Sequence, residues 1–425
     1  SVEIYPALLG VGYICGAKIS SYMFAGGVLG WFVLIPAISI FGGDTVLYPA
    51  DVPISALYET GGASAIWSSY IRYMGAGAVA AGGLISLIRS FPLIFSAFGT
   101  AVKGIGSKAT GGRTDRNLDI RVTLGIAAAV ILLLWLYPGI PISFVGTAFI
   151  VLFGFFFAAV SSRMTGLVGS SNNPVSGMTL MTLILASLVL VSIGLNGTAG
   201  MTAALIIGGV VCTALSMAGG FITDLKIGYW IGTTPAKQEA WKFLGTAVSA
   251  ATVAGVMIVL NRTYGFVGEG ALVAPQANAM AAVIQPLMEG GTTPWVLYFI
   301  GAVLALVLTS IGVPALAFSL GMFIPMELNA PLVVGGLVAW YVSTRSKDAA
   351  VNKARLDRGT LIASGFIAGG ALMGVVSAVL KFAGADWYFG QWASSNGAEW
   401  LGLAMYAALI GYMAWHTMRA KPEQE

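Results

Sequence analysis

The chain has 425 residues, 57% of them hydrophobic and only 9% charged, with a formal net charge of +4 and a mean hydropathy of +0.88. A soluble domain carries about 25% charged residues, so a soluble fold is excluded and an all-α polytopic membrane protein of about eleven to thirteen membrane helices or half-helices is predicted. The small positive charge gives no reason to expect nucleic acid, and two cysteines with a single histidine predict neither a disulfide framework, a metal centre nor a resident cofactor.

Residues 4–16 are apolar but too short to cross a bilayer, which predicts a half-helix or the stump of a span. Residues 20–41 predict a full span. The segment 43–64 holds Asp44, Asp51 and Glu59 and no basic residue. A span over 65–89 carries Arg72, which either snorkels to the interface or clamps a substrate carboxylate. The loop 100–121 is strongly basic, and spans follow at 120–137 and 142–162.

Between the apolar runs 142–162 and 175–194 stands Gly169-Ser-Ser-Asn-Asn-Pro-Val-Ser-Gly-Met-Thr179. Ser171, Asn172 and Asn173 are candidate N-caps before Pro174, a residue suited to the first helical position. A helix start is predicted here, with free N–H groups and the positive dipole end facing outward. Polar irregular backbone survives between membrane segments only where it lines a cavity or is buried in protein. The stretch is therefore expected to line a cavity or to be buried in protein.

Further spans are predicted at 199–220 and 243–260. The stretch Asp224–Gln238 between them reads as a loop of mixed polarity. Tyr229 and Trp230 suit an interfacial belt, with Lys226 and Lys237 facing headgroups; alternatively, Asp224 and Lys226 pair and exchange partners with a charged substrate. Residues 279–288 look re-entrant, and 294–311 is a span. Two short apolar pieces, 313–326 and 330–343, flank Pro325-Met-Glu-Leu-Asn-Ala-Pro331. Glu327 in that gap is a candidate proton or amine site, unless the turn simply faces the outer surface. A basic loop at 345–358 and spans at 360–381 and 399–417 complete the chain.

The basic residues predict orientation. With 100–121 in the cytoplasm, alternation also places 163–173, 221–242, 345–358 and the C-terminus there, and leaves the acidic 43–64 and 383–399 outside. An internal repeat fits this topology. Pro6-Ala-Leu and Pro314-Ala-Leu open similar runs; with one residue inserted, Gly12 falls on Gly321, Gly26-Gly27 on Gly335-Gly336, Trp31 on Trp340 and Lys18 opposite Glu327. The two Trp residues fall on opposite sides of the membrane, as an inverted-topology repeat requires. Residues 1–140 then form an N-terminally incomplete first repeat and 141–425 the second.

Five stretches in order along the chain resemble the oligopeptide transporter superfamily, most closely its prokaryotic branch allied to the yellow stripe-like metal-chelate transporters. They are Tyr70-x-Arg-Tyr-x-Gly-Ala-Gly-Ala78, Ser171-Asn-Asn-Pro-Val-Ser-Gly-Met-Thr179, Asp224-Leu-Lys-x-Gly-Tyr-x-x-Gly-x-Thr-Pro-x-Lys-Gln238, Ala274-Pro-Gln276 and Pro325-x-Glu-Leu-x-x-Pro331. The resemblance implies a non-enzymatic, proton-coupled importer of small peptides, or of metal already bound to peptide-like chelators. The implied protein is longer and multi-pass in the plasma (inner) membrane, with a cytoplasmic C-terminus and room for a homo-oligomer. Substrate contacts are expected at Asn172, Asn173, Pro174, Ser176, Gly177, Arg72, Tyr73, Asp224, Lys226 and Tyr229, and proton coupling at Glu327 or Asp224. A channel, or a membrane protein without transport activity, is the alternative. No phosphate-binding loop indicates a primary pump, and the lone His416 offers no catalytic cluster.

Overall fold

The structure is a computed structural model that describes residues 5–104, 112–137, 144–168, 175–266, 272, 275–288, 294–385, 389, 392 and 395–422. Among the described residues there is no strand. Helix α1 (Pro6–Val28) continues through a π-helical turn, Leu29–Leu34, into α2 (Ile35–Gly42). Helix α3 (Ile54–Ile66) likewise runs through a π-helical turn, Trp67–Ile71, into α4 (Arg72–Gly104). Then come α5 (Ile120–Leu136), α6 (Phe144–Val168), α7 (Val175–Ser192), α8 (Gly197–Trp230) and α9 (Pro235–Thr263). The remainder is α10 (Pro275–Met288), α11 (Trp295–Ser310), α12 (Ala315–Phe323), α13 (Met326–Thr344), α14 (Ala349–Phe382) and α15 (Asn396–Met418). Among the described residues five helical stretches are long and apolar enough to cross a membrane: Pro6–Gly42, Phe144–Gly166, Gly197–Trp230, Pro235–Thr263 and Ala349–Phe382.

Several helices are longer than their apolar runs. α8 continues ten residues past the predicted span to Trp230, and α9 begins at Pro235, so most of Asp224–Gln238 is helix rather than loop. α14 begins inside the basic stretch 345–358, with the Asp348 carboxylate accepting from Ala350 N. The cause is common to both: an apolar run marks only the part of a helix in hydrocarbon, and good helix formers such as Lys, Gln, Arg and Ala carry it into the headgroup region.

The chain divides into two compact units. One comprises Ala80–Val253 and Gln276–Trp295. Its core is apolar on α6, α7 and α8: Ile150, Leu183, Ala186, Leu190, Ala203 and Ile207 pack with Ile284 and Met288 of α10. Phe157, Val160, Met164, Met178, Val211 and Leu215 form a second cluster. Gly208 lets Leu183 seat directly on α8, and Ser161 Oγ donates to the Leu215 carbonyl at 2.7 Å. α9 buries no residue, and Trp241, Val248 and Val253 are exposed along it. An apolar helix that buries none of its residues is stable in hydrocarbon and not in water.

The other unit comprises Ser1–Val79, Ala254–Pro275 and Val296–Glu425. Leu9 and Tyr13 of α1 pack on Val338, Ala339 and Val342 of α13, with Ala363, Tyr406 and Met413 closing the cluster. Small residues set this packing, as expected where helices associate without a hydrophobic driving force.

Candidate functional site: two helix breaks paired in one register

Three helical stretches of this second unit are broken: α3 at Gly62 (φ +59°), and two that pair with each other. Gly16 adopts φ +77° and ψ 167°, a left-handed-side conformation open to glycine, and splits α1 into residues 6–15 and 17–28. Ile324 and Pro325 are extended (ψ 151° and 149°) and separate α12 from α13. The register that places Gly12 on Gly321 also places Gly16 on Pro325, so the breaks are equivalent positions.

Contacts between the broken helices repeat in pairs. A Cβ on Gly12 would overlap the Leu332 carbonyl, and one on Gly321 the Met23 carbonyl. Gly26 lies against the Phe318 carbonyl, Gly335 against that of Leu9. Gly27 faces the Asn329 side chain and Gly336 that of Ser20. The braces match as well: Ser20 Oγ donates to Gly12 O at 3.1 Å, and Asn329 Nδ2 to Gly321 O at 2.7 Å. In each case the second contact is the first carried across the repeat, the signature of an isologous two-fold interface.

Ser20 and Asn329 are both buried polar residues in apolar helices. Each spans a break, tying the carbonyl of one half-helix to the start of the next. The Asn329→Ala variant is expected to lose about 1–3 kcal/mol, because it leaves a buried carbonyl without its donor. Ser20→Ala should cost less, hydroxyl bonds being weaker. Thermal unfolding in detergent checks both, and an unshifted N329A melt would show that the brace is idle.

Around the second break the ends of the half-helices stay polar. Met322 O accepts from Trp67 Nε1 at 3.4 Å, and Trp67 stacks on Trp31 with centroids 6.0 Å apart. Both tryptophans belong to π-helical turns, a distortion that is frequent at functional sites. Asn329 Oδ1 is buried and has no partner among the described residues. Helix α13 starts without a side-chain cap; Leu328 N donates to Pro325 O at 3.1 Å, and Glu327 in the same turn is half-buried. Lys18 occupies the equivalent place in α1 and is exposed. Arg72 begins α4 directly after the second π-helical turn, and its charge lies near the Tyr298 phenol. The Tyr298 ring packs on Tyr73 at 5.9 Å.

The remaining predicted residues lie in the other unit. Asn172, Asn173 and Pro174 fall outside the described residues, as do the side chains of Ser176 and Gly177 at the start of α7. Asp224 pairs with Lys242 at 2.5 Å, and not with Lys226 as the second of the two readings of this stretch has it. A continuous helix explains the correction, since residues two apart do not share a face. With side chains 33% and 47% exposed, the pair contributes under about 1 kcal/mol. Lys226 instead lies over the exposed rings of Tyr229 and Trp230, at 5.0 and 5.3 Å. The α8–α9 turn is strapped to the preceding basic segment. Arg113 donates to Thr234 Oγ1 (3.0 Å) and Gly232 O (2.8 Å), Ala236 N to Arg116 O (2.9 Å) and Leu118 N to Glu239 Oε2 (2.6 Å). Among the described residues no group of His, Cys, Asp and Glu could hold a metal ion.

Sequence reasoning singled out Glu327, Arg72 and Tyr73 but passed over Ser20, Asn329, Trp31 and Trp67 as site residues. A signal for the first two was present, because each is a polar residue in an apolar run at the same repeat register. The π-helical turns have no comparable sequence mark.

Residues 1–381 match the family described as OPT oligopeptide transporter protein. The chain is also similar to a Haemophilus influenzae protein that carries the name of an oligopeptide transporter, at 29% identity over 98% of this chain and 73% of that relative.

Proposed function

The chain belongs to the OPT oligopeptide transporter family, and from that premise we propose that it is a secondary active importer of small oligopeptides, driven by protons and working by alternating access. The observation that carries the reading is the reciprocal packing of two broken helices. Discontinuous helices at membrane depth are tolerated where their ends line a cavity, and paired inverted repeats supply the two halves that rock around it.

In the proposed mechanism the repeats are 1–140 and 141–425, related about an axis in the plane of the plasma membrane, with the C-terminus in the cytoplasm. Glu327, in the first turn after a break, carries the proton. Arg72, with Tyr73 and Tyr298 beside it, meets a substrate carboxylate. Asp224 is the weaker candidate for coupling, since Lys242 already neutralises it. The helix start at 172–177 is proposed as an independent anion-facing contact.

The test is uptake into liposomes of a labelled tripeptide and a labelled iron chelate, with and without an inward proton gradient. Gradient-driven accumulation of the tripeptide is expected. Accumulation of the chelate alone would move the substrate to the metal-chelate class. Accumulation of neither by correctly inserted protein would refute the proposal.

A further inference from the structure

Helices α13, α14 and α15 each bring one end to a common level. Val342 and Met413 are buried in one cluster with Met418 packed against it, so the C-terminal turns of α13 and α15 lie together. Arg358, near the start of α14, donates to His416 of α15 at 3.1 Å and adds the early turns of α14 to the same level. The connection from α13 to α14 is closed on itself. Ser346 N donates to Asn352 Oδ1 at 3.1 Å, Asn352 Nδ2 to Ser346 O at 2.8 Å, and the Asp348 carboxylate accepts from Ala350 N at 2.8 Å.

This end carries Arg345, Lys347, Lys353, Arg419 and Lys421, all exposed, while Arg355 and Arg358 are half-buried. Among the described residues none of these cations pairs with a carboxylate. The acids of the same segment are Asp348, engaged as a cap, and Asp357, whose charge lies near the Tyr13 phenol. Glu423 and Glu425 of the tail lie outside the described residues. Two of the arginines are held by rings instead: Arg345 lies 4.3 Å over Tyr341, and Arg419 3.8 Å over Trp415. Stacking occupies the face of a guanidinium and leaves the N–H donors in its plane open to an oxyanion. Both rings are exposed, as are Trp340 and Tyr412 near them on the same helices. Along α14 the charged stretch ends at Arg358, and Leu361, Leu372 and Met373 beyond it are bare. Cations, then aromatic rings, then apolar side chains is the order in which a protein surface meets headgroups, interface and hydrocarbon.

We propose that this end of α13, α14 and α15 docks on anionic phospholipid. The guanidinium edges of Arg345 and Arg419 receive headgroup phosphates, and Lys347, Lys353 and Lys421 add attraction to the charged leaflet. A soluble acidic partner would meet the cations but leave the exposed rings and the apolar surface beside them uncovered. The inference stands apart from the transport reading and needs no assumption about substrate or coupling.

Purified protein in neutral detergent is titrated with phosphatidylglycerol or with phosphatidylcholine while melting is followed. The proteins compared are the unaltered chain, R345Q/R419Q, R345K/R419K and K381Q, the last a charge removed at the other end of α14. Phosphatidylglycerol should raise the melting temperature of the unaltered protein and of K381Q, and the rise should fade as salt screens the contact. Each cation removed from an anionic surface weakens binding about fivefold, so R345Q/R419Q should need about 25-fold more lipid for the same rise. R345K/R419K keeps the charge, loses the planar fork and should fall between. It carries the test, together with the salt dependence of the unaltered protein, if the glutamine variant fails to fold. An unchanged response in both double variants would overturn the proposal, as would an equal loss in K381Q or equal stabilisation by phosphatidylcholine. The same rise from inorganic phosphate or polyglutamate without lipid would overturn it in favour of a soluble acidic partner.

Discussion

Gly26→Ala and Gly335→Ala are each expected to cost the folded protein about 3 kcal/mol, and to cost it equally. The reason is what the new methyl would meet. At Gly26 it is the Phe318 carbonyl and at Gly335 the Leu9 carbonyl, both main-chain atoms that cannot swing aside as a side chain end does. Relief requires the two broken helices to separate, which undoes the neighbouring contacts at Gly12, Gly27, Gly321 and Gly336 and the braces from Ser20 and Asn329. Alanine at Gly209 or Gly365 meets open space, so those variants should gain up to about 1 kcal/mol from helix propensity. Thermal unfolding of the purified protein in detergent measures all four. Unequal losses at Gly26 and Gly335 would sink the two-fold reading of the interface even if each variant were destabilised.

Much of this interface was legible in the sequence, because its determinants are local. A glycine at a helix crossing must remain glycine whatever surrounds it, so Gly12, Gly26 and Gly27 kept their spacing in Gly321, Gly335 and Gly336. The break at Pro325 was visible for a similar reason, since proline cannot continue the helix hydrogen-bonding of the turn before it. Gly16 was harder: among 57 glycines nothing marks it as a helix break except that it shares a register with Pro325. Asp224–Gln238 misled because hydropathy reports where hydrocarbon ends and not where the helix ends. Its ion pair with Lys242 depends on a hairpin that brings α9 beside α8, a long-range arrangement with no signature in the stretch itself.

Glu327→Gln is expected to abolish proton-driven accumulation, lowering it at least about tenfold, while leaving substrate exchange across the membrane intact. Glutamine has nearly the shape and hydrogen-bonding reach of protonated glutamate but cannot release a proton. The site can therefore still close around substrate, yet the gradient no longer biases the cycle. The position makes Glu327 the sharper choice over Asp224. It stands two residues after the Ile324–Pro325 break, half-buried, in the first turn of α13 and two residues before the Asn329 brace. Asp224 has its charge met by Lys242, so Asp224→Asn should reduce accumulation far less. Counterflow from preloaded liposomes, run beside gradient-driven uptake, separates the outcomes. Exchange without accumulation identifies Glu327 as the coupling group. Loss of both would make it a substrate contact whose charge is needed for binding. Full accumulation by E327Q would remove it from the site and leave the proton to another carboxylate.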